Sequence, residues 1–136
     1  MGSDIKRIYE VAHFVKKGET ISSVSRSVFP GGKGLNQSVA LGRAGSSVWH
    51  AGCTGETEGK VLLDTLEEAG VQVEFVSILS APGGHAIIQK DEEGDNGIIL
   101  YGGANQEIDP KSVDCVLEHF GTGDYIVRQN EISSLA

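Results

Sequence analysis

The residues best suited to chemistry lie in one short run, Gly31-Gly32-Lys33-Gly34-Leu35-Asn36-Gln37. Three glycines let a backbone approach a ligand with no Cβ in the way, and a helix beginning just beyond offers unpaired N–H groups. Lys33 contributes a charged donor and Asn36 an amide that both donates and accepts, close together at the start of that helix. Such a cluster suits a polyhydroxylated ligand. It is not a Walker loop, because Gly34 rather than Ser or Thr follows Lys33. It is not a dinucleotide fingerprint either, because Gln37 stands where a third Gly or Ala is needed. The four histidines, at 13, 50, 85 and 119, are scattered singly without ligand spacing and receive no chemical role. Trp49 reads as core.

Position for these groups must come from elements whose pattern alternates. Asp4 to Phe14 is rich in β-branched and aromatic residues and reads as extended, and Thr20 to Phe29 reads as a partly exposed strand. Pro30 and the glycines break this region. A helix follows from Leu35 to Ala44, stopped by Gly45. Ser47–Cys53 predicts a buried strand, Thr57–Ala69 an amphipathic helix ended by Gly70, and Val71–Leu79 a second strand. Gly83 to Tyr101 predicts a hairpin with its polar turn at Asp91–Asn96. Asp109 and Pro110 supply the N-cap and first position of another helix, and Asp124–Val127 reads as one more buried strand. Alternating strand and helix point to a parallel α/β sheet, with the first segments and the hairpin forming a smaller antiparallel layer.

Composition narrows the partners. With 136 residues, 39% apolar and 22% charged, the chain is long enough to bury a core and has no apolar run that would span a membrane. Nineteen carboxylates against 11 Lys and Arg give a net charge of −8, which repels phosphate backbones, so nucleic acid is not an expected partner. Cys53 and Cys115 form no CxxC pair, and a reducing cytoplasm fits.

The ordered set of motifs carries more than any one of them. Asp4 before an extended segment, Gly18-Glu19-Thr20, the Gly31–Gln37 loop, Gly42-Arg43-Ala44-Gly45, Gly52-Cys53-Thr54-Gly55 with Gly59, Gly103-Ala104-Asn105 and Gln129-Asn130-Glu131-Ile132 follow one another as in a known family. In this the chain resembles the amino-terminal part of the ribokinase-like (PfkB) carbohydrate kinases, with the ribokinase branch favoured by the Asn-Gln pair after the glycine run.

The resemblance implies an α/β fold, part of a three-layer ribokinase-like body with a small antiparallel β-sheet lid. The lid would draw on about residues 5–29 and 84–101, and the body on about 31–82 and 102–136. It implies a pentose such as ribose bound by Asp4, Gly32, Lys33, Gly34, Asn36 and Glu131, and ATP with Mg as the cofactors of the parent enzyme. Two departures matter. Gly2 stands where the family has an Asn two residues before its Asp, and no Gly-Ala-Gly-Asp string with a catalytic Asp occurs. The chain by itself is therefore expected to lack the catalytic base and the ATP site, to bind no cofactor and to show no kinase activity. The alternatives are a non-catalytic sugar-binding module that forms a homodimer through its lid strands, and a portion of a kinase for a related sugar or a nucleoside.

Overall fold

A computed structural model describes residues 2–130 and 132. Among the described residues lie six strands, three α-helices and one 3₁₀ turn. Strands β1 (Asp4–Glu10) and β2 (Ser25–Gly31) come first, then α1 (Lys33–Arg43), β3 (Trp49–Gly55), α2 (Glu56–Glu68) and β4 (Gln72–Leu79). Strands β5 (Gly84–Lys90) and β6 (Asn96–Tyr101), the 3₁₀ turn (Gly103–Glu107) and α3 (Pro110–Leu117) complete the order. No helix among the described residues is long and apolar enough to cross a membrane.

The glycine and Asx signals act where the sequence predicts. Asp109 caps α3 by accepting hydrogen bonds from the Ser112 backbone N–H at 2.7 Å and from its hydroxyl at 2.8 Å, with Pro110 in the first turn. Replacing this cap, Asp109→Ala, is expected to lower stability by about 1 kcal/mol in urea unfolding, the usual worth of such a bond. Asp91 shapes the β5–β6 turn by accepting from the Glu93 and Asp95 amides at 3.1 and 2.9 Å. Gly32, at φ +95°, lets the chain turn from β2 directly into α1, which starts two residues before the predicted Leu35.

Two sheets result. In one, β3 and β4 run parallel with α2 as the crossover. Thr54 and Ile78 on one face of this pair lie against Gly59 of α2, while Cys53 on the other packs with Ala104 and Ile108. Helix, sheet and a second helical layer therefore stack in three levels. The main core joins Ile5, Leu35, Leu62, Leu66, Ala69 and Val71, so β1 is anchored by its Ile5 side to α1 and α2.

The second sheet has the order β2-β1-β5-β6. Pairs β1–β2 and β5–β6 are antiparallel, but the central pair β1–β5 is parallel, so the layer expected to be wholly antiparallel is mixed. The reason is connectivity. Only strands joined by a short turn are obliged to reverse, and β1 reaches β5 through the whole intervening α/β unit. Two further expectations are corrected. Thr20–Val24 precedes the strand rather than belonging to it, and Asp124–Val127 is not a strand. Tyr125 is 97% and Ile126 70% exposed, and no ladder partner flanks them among the described residues. A β-branched run without a neighbouring strand has nothing to pair with.

Candidate functional site

Asp4 opens β1, and the register of both neighbouring strands makes room for it. Its cross-strand partners are Gly31 on β2 and Gly84 on β5. A Cβ on Gly84 would overlap the Asp4 Oδ1 and the Asn105 Nδ2, and one on Gly32 would lie 3.1 Å from the Asp4 Oδ2. The carboxylate is thus seated between Gly32 and Gly84. Lys6, two residues on and on the same strand face, lays its stem over Gly31, where a Cβ would stand 2.6 Å from its Cε.

A buried hydrogen-bond chain supports this seat from behind. Asn105 donates from Nδ2 to the Asp4 Oδ1 at 2.8 Å and to the Ser3 carbonyl at 3.2 Å, while its Oδ1 accepts from the Ser3 amide at 3.1 Å. The Ser3 hydroxyl lies 3.0 Å from Nε2 of His50, and the Ser38 hydroxyl lies 2.8 Å from Nδ1 of the same ring. Ser3, Ser38, His50 and Asn105 are all nearly inaccessible. Burial pushes the His50 imidazole down from 6.5 to about 4, so at neutral pH the ring is uncharged. A neutral imidazole has one N–H and one acceptor, which matches two hydroxyl neighbours. His50 thus links β3 to Ser3 and to α1 through hydrogen bonds alone.

Of the residues singled out in the sequence, Asp4 and Gly32 are in contact, and Gly34 is buried one residue inside α1. Lys33 and Asn36 sit exposed in the first turn of α1, with the Asn36 backbone N–H donating to the Gly32 carbonyl at 3.0 Å. Glu131 lies outside the described residues. A cavity of about 1060 Å³ lies elsewhere, lined by Trp49, Cys53, Phe75, Ile108, Val116 and Phe120, and includes none of Asp4, Gly32, Lys33 and Asn36. Asn105, His50, Ser3, Ser38 and Gly84 were missed as site residues. Gly103-Ala104-Asn105 was visible as a motif, but nothing in its spacing points to Asp4.

No group of three His, Cys, Asp or Glu side chains able to hold a metal occurs among the described residues, and the glycine run lacks the Walker hydroxyl. These residues do not by themselves fit ATP with its metal, so no step of phosphoryl transfer is built on them.

The Asp4 carboxylate thus lies beside a glycine turn where a small mixed sheet meets an α/β unit. The chain belongs to the pfkB family of carbohydrate kinases, whose family model matches residues 2–135. Among its relatives are ribokinases. The ribokinase of Bacillus subtilis is 35% identical over 86% of this chain and 40% of its own, and that of Arabidopsis thaliana 33% over 97% and 36%. The chain therefore spans about two-fifths of the length of these relatives.

The solved structure of Arabidopsis thaliana ribokinase complexed with ribose and ATP superposes with a TM-score of 0.72 at 32% identity, covering 80% of this chain and 36% of the other. Ribokinase from Cryptococcus neoformans in complex with ADP gives 0.73 at 37% identity over 80% and 34%. The fold is accordingly a partial ribokinase-like body with its small sheet.

Proposed function

We propose that this chain is the sugar-binding portion of an ATP-dependent carbohydrate kinase of the ribokinase type, which converts ribose to ribose 5-phosphate. The observation that carries the reading is the Asp4 carboxylate held over Gly32 and Gly84, in a chain related to proteins named ribokinase. Asp4 accepts hydrogen bonds from sugar hydroxyls, and an ionised carboxylate does this more strongly than a neutral acceptor. Gly32 and Gly34 bring backbone groups to the sugar, and Lys33 and Asn36 donate from the first turn of α1. The sheet β2-β1-β5-β6 acts as the lid and the remainder as the body. ATP and magnesium belong to the complete kinase.

Titration calorimetry with ribose tests this. Ribose is expected to bind, and Asp4→Asn to weaken it roughly 10- to 100-fold, the cost of one or two charge-assisted bonds. No heat with ribose, or an unchanged affinity in Asp4→Asn, would defeat the reading. Adenosine titrated in parallel distinguishes a nucleoside kinase. Addition of ATP and magnesium with ribose is expected to give no turnover from this chain alone.

A second reading, a module that dimerises through the lid, rests on the outer strands. Val28 and Phe29 on β2 and Ile98, Ile99 and Leu100 on β6 are each 47–64% exposed, and both edges of the sheet are unpaired among the described residues. Such edges recruit partners. Sedimentation equilibrium is expected to show twice the 14.3 kDa chain mass, and a strict monomer at high concentration sinks this reading.

A further inference from the structure

We propose that Asn105, anchored through Ser3 to His50, is a positioning residue that fixes the Asp4 carboxylate in the orientation the sugar meets. This rests on the sugar-site reading and adds to it the group that aims its acid. Asn105 belongs to the 3₁₀ turn, His50 to β3, Ser38 to α1, and Ser3 and Asp4 to the start of β1, so one chain of bonds ties four elements together at this corner.

Asn105 grips the Ser3 backbone by both its N–H and its C=O, a two-point clamp on the peptide groups at either side of that residue. With the same Nδ2 it takes the Asp4 Oδ1 at 2.8 Å. A short carboxylate side chain has two rotatable bonds. The bond to Oδ1 selects one setting, and the missing Cβ of Gly84 leaves the room for it. Ser3 would swing if held at its backbone alone, and here its hydroxyl is pinned 3.0 Å from the His50 Nε2, while the opposite nitrogen is held at 2.8 Å by Ser38 on α1. Ser38 stands six residues beyond Gly32, so the helix that carries the glycine turn and the strand that carries Asp4 are braced through one ring. The carboxylate and the glycine turn are therefore kept in mutual register by groups that do not touch the sugar. A preorganised acceptor loses less freedom on binding than one that must be ordered.

The two ring nitrogens make the test selective. A glutamine carboxamide reaches the position of Nε2 and an asparagine carboxamide that of Nδ1, so His50→Gln can keep the Ser3 contact whereas His50→Asn keeps only the Ser38 contact. Four variants, Asn105→Ala, His50→Asn, His50→Gln and the core control Val71→Ala, are compared under conditions where each is fully folded. The first readout is the pair of three-bond Hα–Hβ couplings of Asp4, which report one χ1 rotamer when the carboxylate is held and averaging when it is not. The second is ribose affinity by calorimetry.

A single Asp4 rotamer is expected in the unsubstituted chain, in His50→Gln and in Val71→Ala, and averaged couplings in Asn105→Ala and His50→Asn. Ribose affinity is expected to fall at least tenfold in those two alone. Averaged couplings in the unsubstituted chain, an unaltered rotamer in Asn105→Ala, or averaging in the Val71→Ala control overturns the proposal. If ribose fails to bind the unsubstituted chain, the sugar reading falls, and the couplings still decide whether Asn105 positions Asp4.

Discussion

Replacing Gly84 with alanine is expected to lower stability by roughly 1–3 kcal/mol and to weaken ribose binding at least tenfold. The new methyl group would overlap both the Asp4 Oδ1 and the Asn105 Nδ2 and come within 2.9 Å of the Gly102 carbonyl. None of these can give way cheaply. The carbonyl is backbone, and the two side chains are bonded to each other at 2.8 Å. Relief would push Asp4 off its acceptor geometry or split β1 from β5 at their first paired residues. Urea unfolding and calorimetry read the two effects separately. Gly121→Ala is the matched control, since a methyl there meets nothing within 4 Å, and it should change neither quantity. Equal behaviour of the two variants would show that the corner is looser than its hydrogen bonds imply.

The second large effect depends on pH. His50 titrates near 6.5 in an unfolded chain but near 4 when buried, so the folded state resists the proton that the unfolded state accepts. The unfolded state therefore binds more protons between these values, and stability falls as the pH falls through that window. Above about 6.5 the contribution is complete, and below about 4 both states are protonated and it is spent. The interval between the two values corresponds to about 3 kcal/mol, a large share of what holds a domain of this size together. Unfolding free energies measured from pH 7 to 4 should show this decline in the unsubstituted chain and a shallower one in His50→Gln, which has no titrating ring. Parallel curves for the two would mean that the burial of His50 does not perturb its proton affinity.

Features set by neighbours in sequence were legible without a structure, and features set by distant pairing were not. The glycine run before α1, the Asp109 cap and the Asp91 turn each depend on residues within about five positions, and each lies where the pattern predicts. Asp4 stands out in the sequence as a candidate only through the family motifs. Its actual neighbour Asn105 lies 101 positions away, and no periodicity encodes such a contact. His50 shows the same limit. A histidine between Trp49 and Ala51 on a strand looks like any other until Ser3 and Ser38 are brought to its two nitrogens. The parallel alignment of β1 and β5 was missed for an equivalent reason, since the strand pattern fixes which side chains alternate but not the direction of a partner joined by a long crossover. Asp124–Val127 failed in the opposite sense, because its composition favours a strand that no described neighbour completes.

The bond between residue 105 and the first residues of the chain also sets an order of events during synthesis. On the ribosome the amino end leaves first and must wait for more than a hundred further residues before its partner emerges, several seconds at ordinary elongation rates. The glycine turn and α1 can form locally in that interval, whereas the acid beside them has no clamp to close on. The seat of Asp4 is thus closed only once the segment around residue 105 has been made and has folded back against the start of β1.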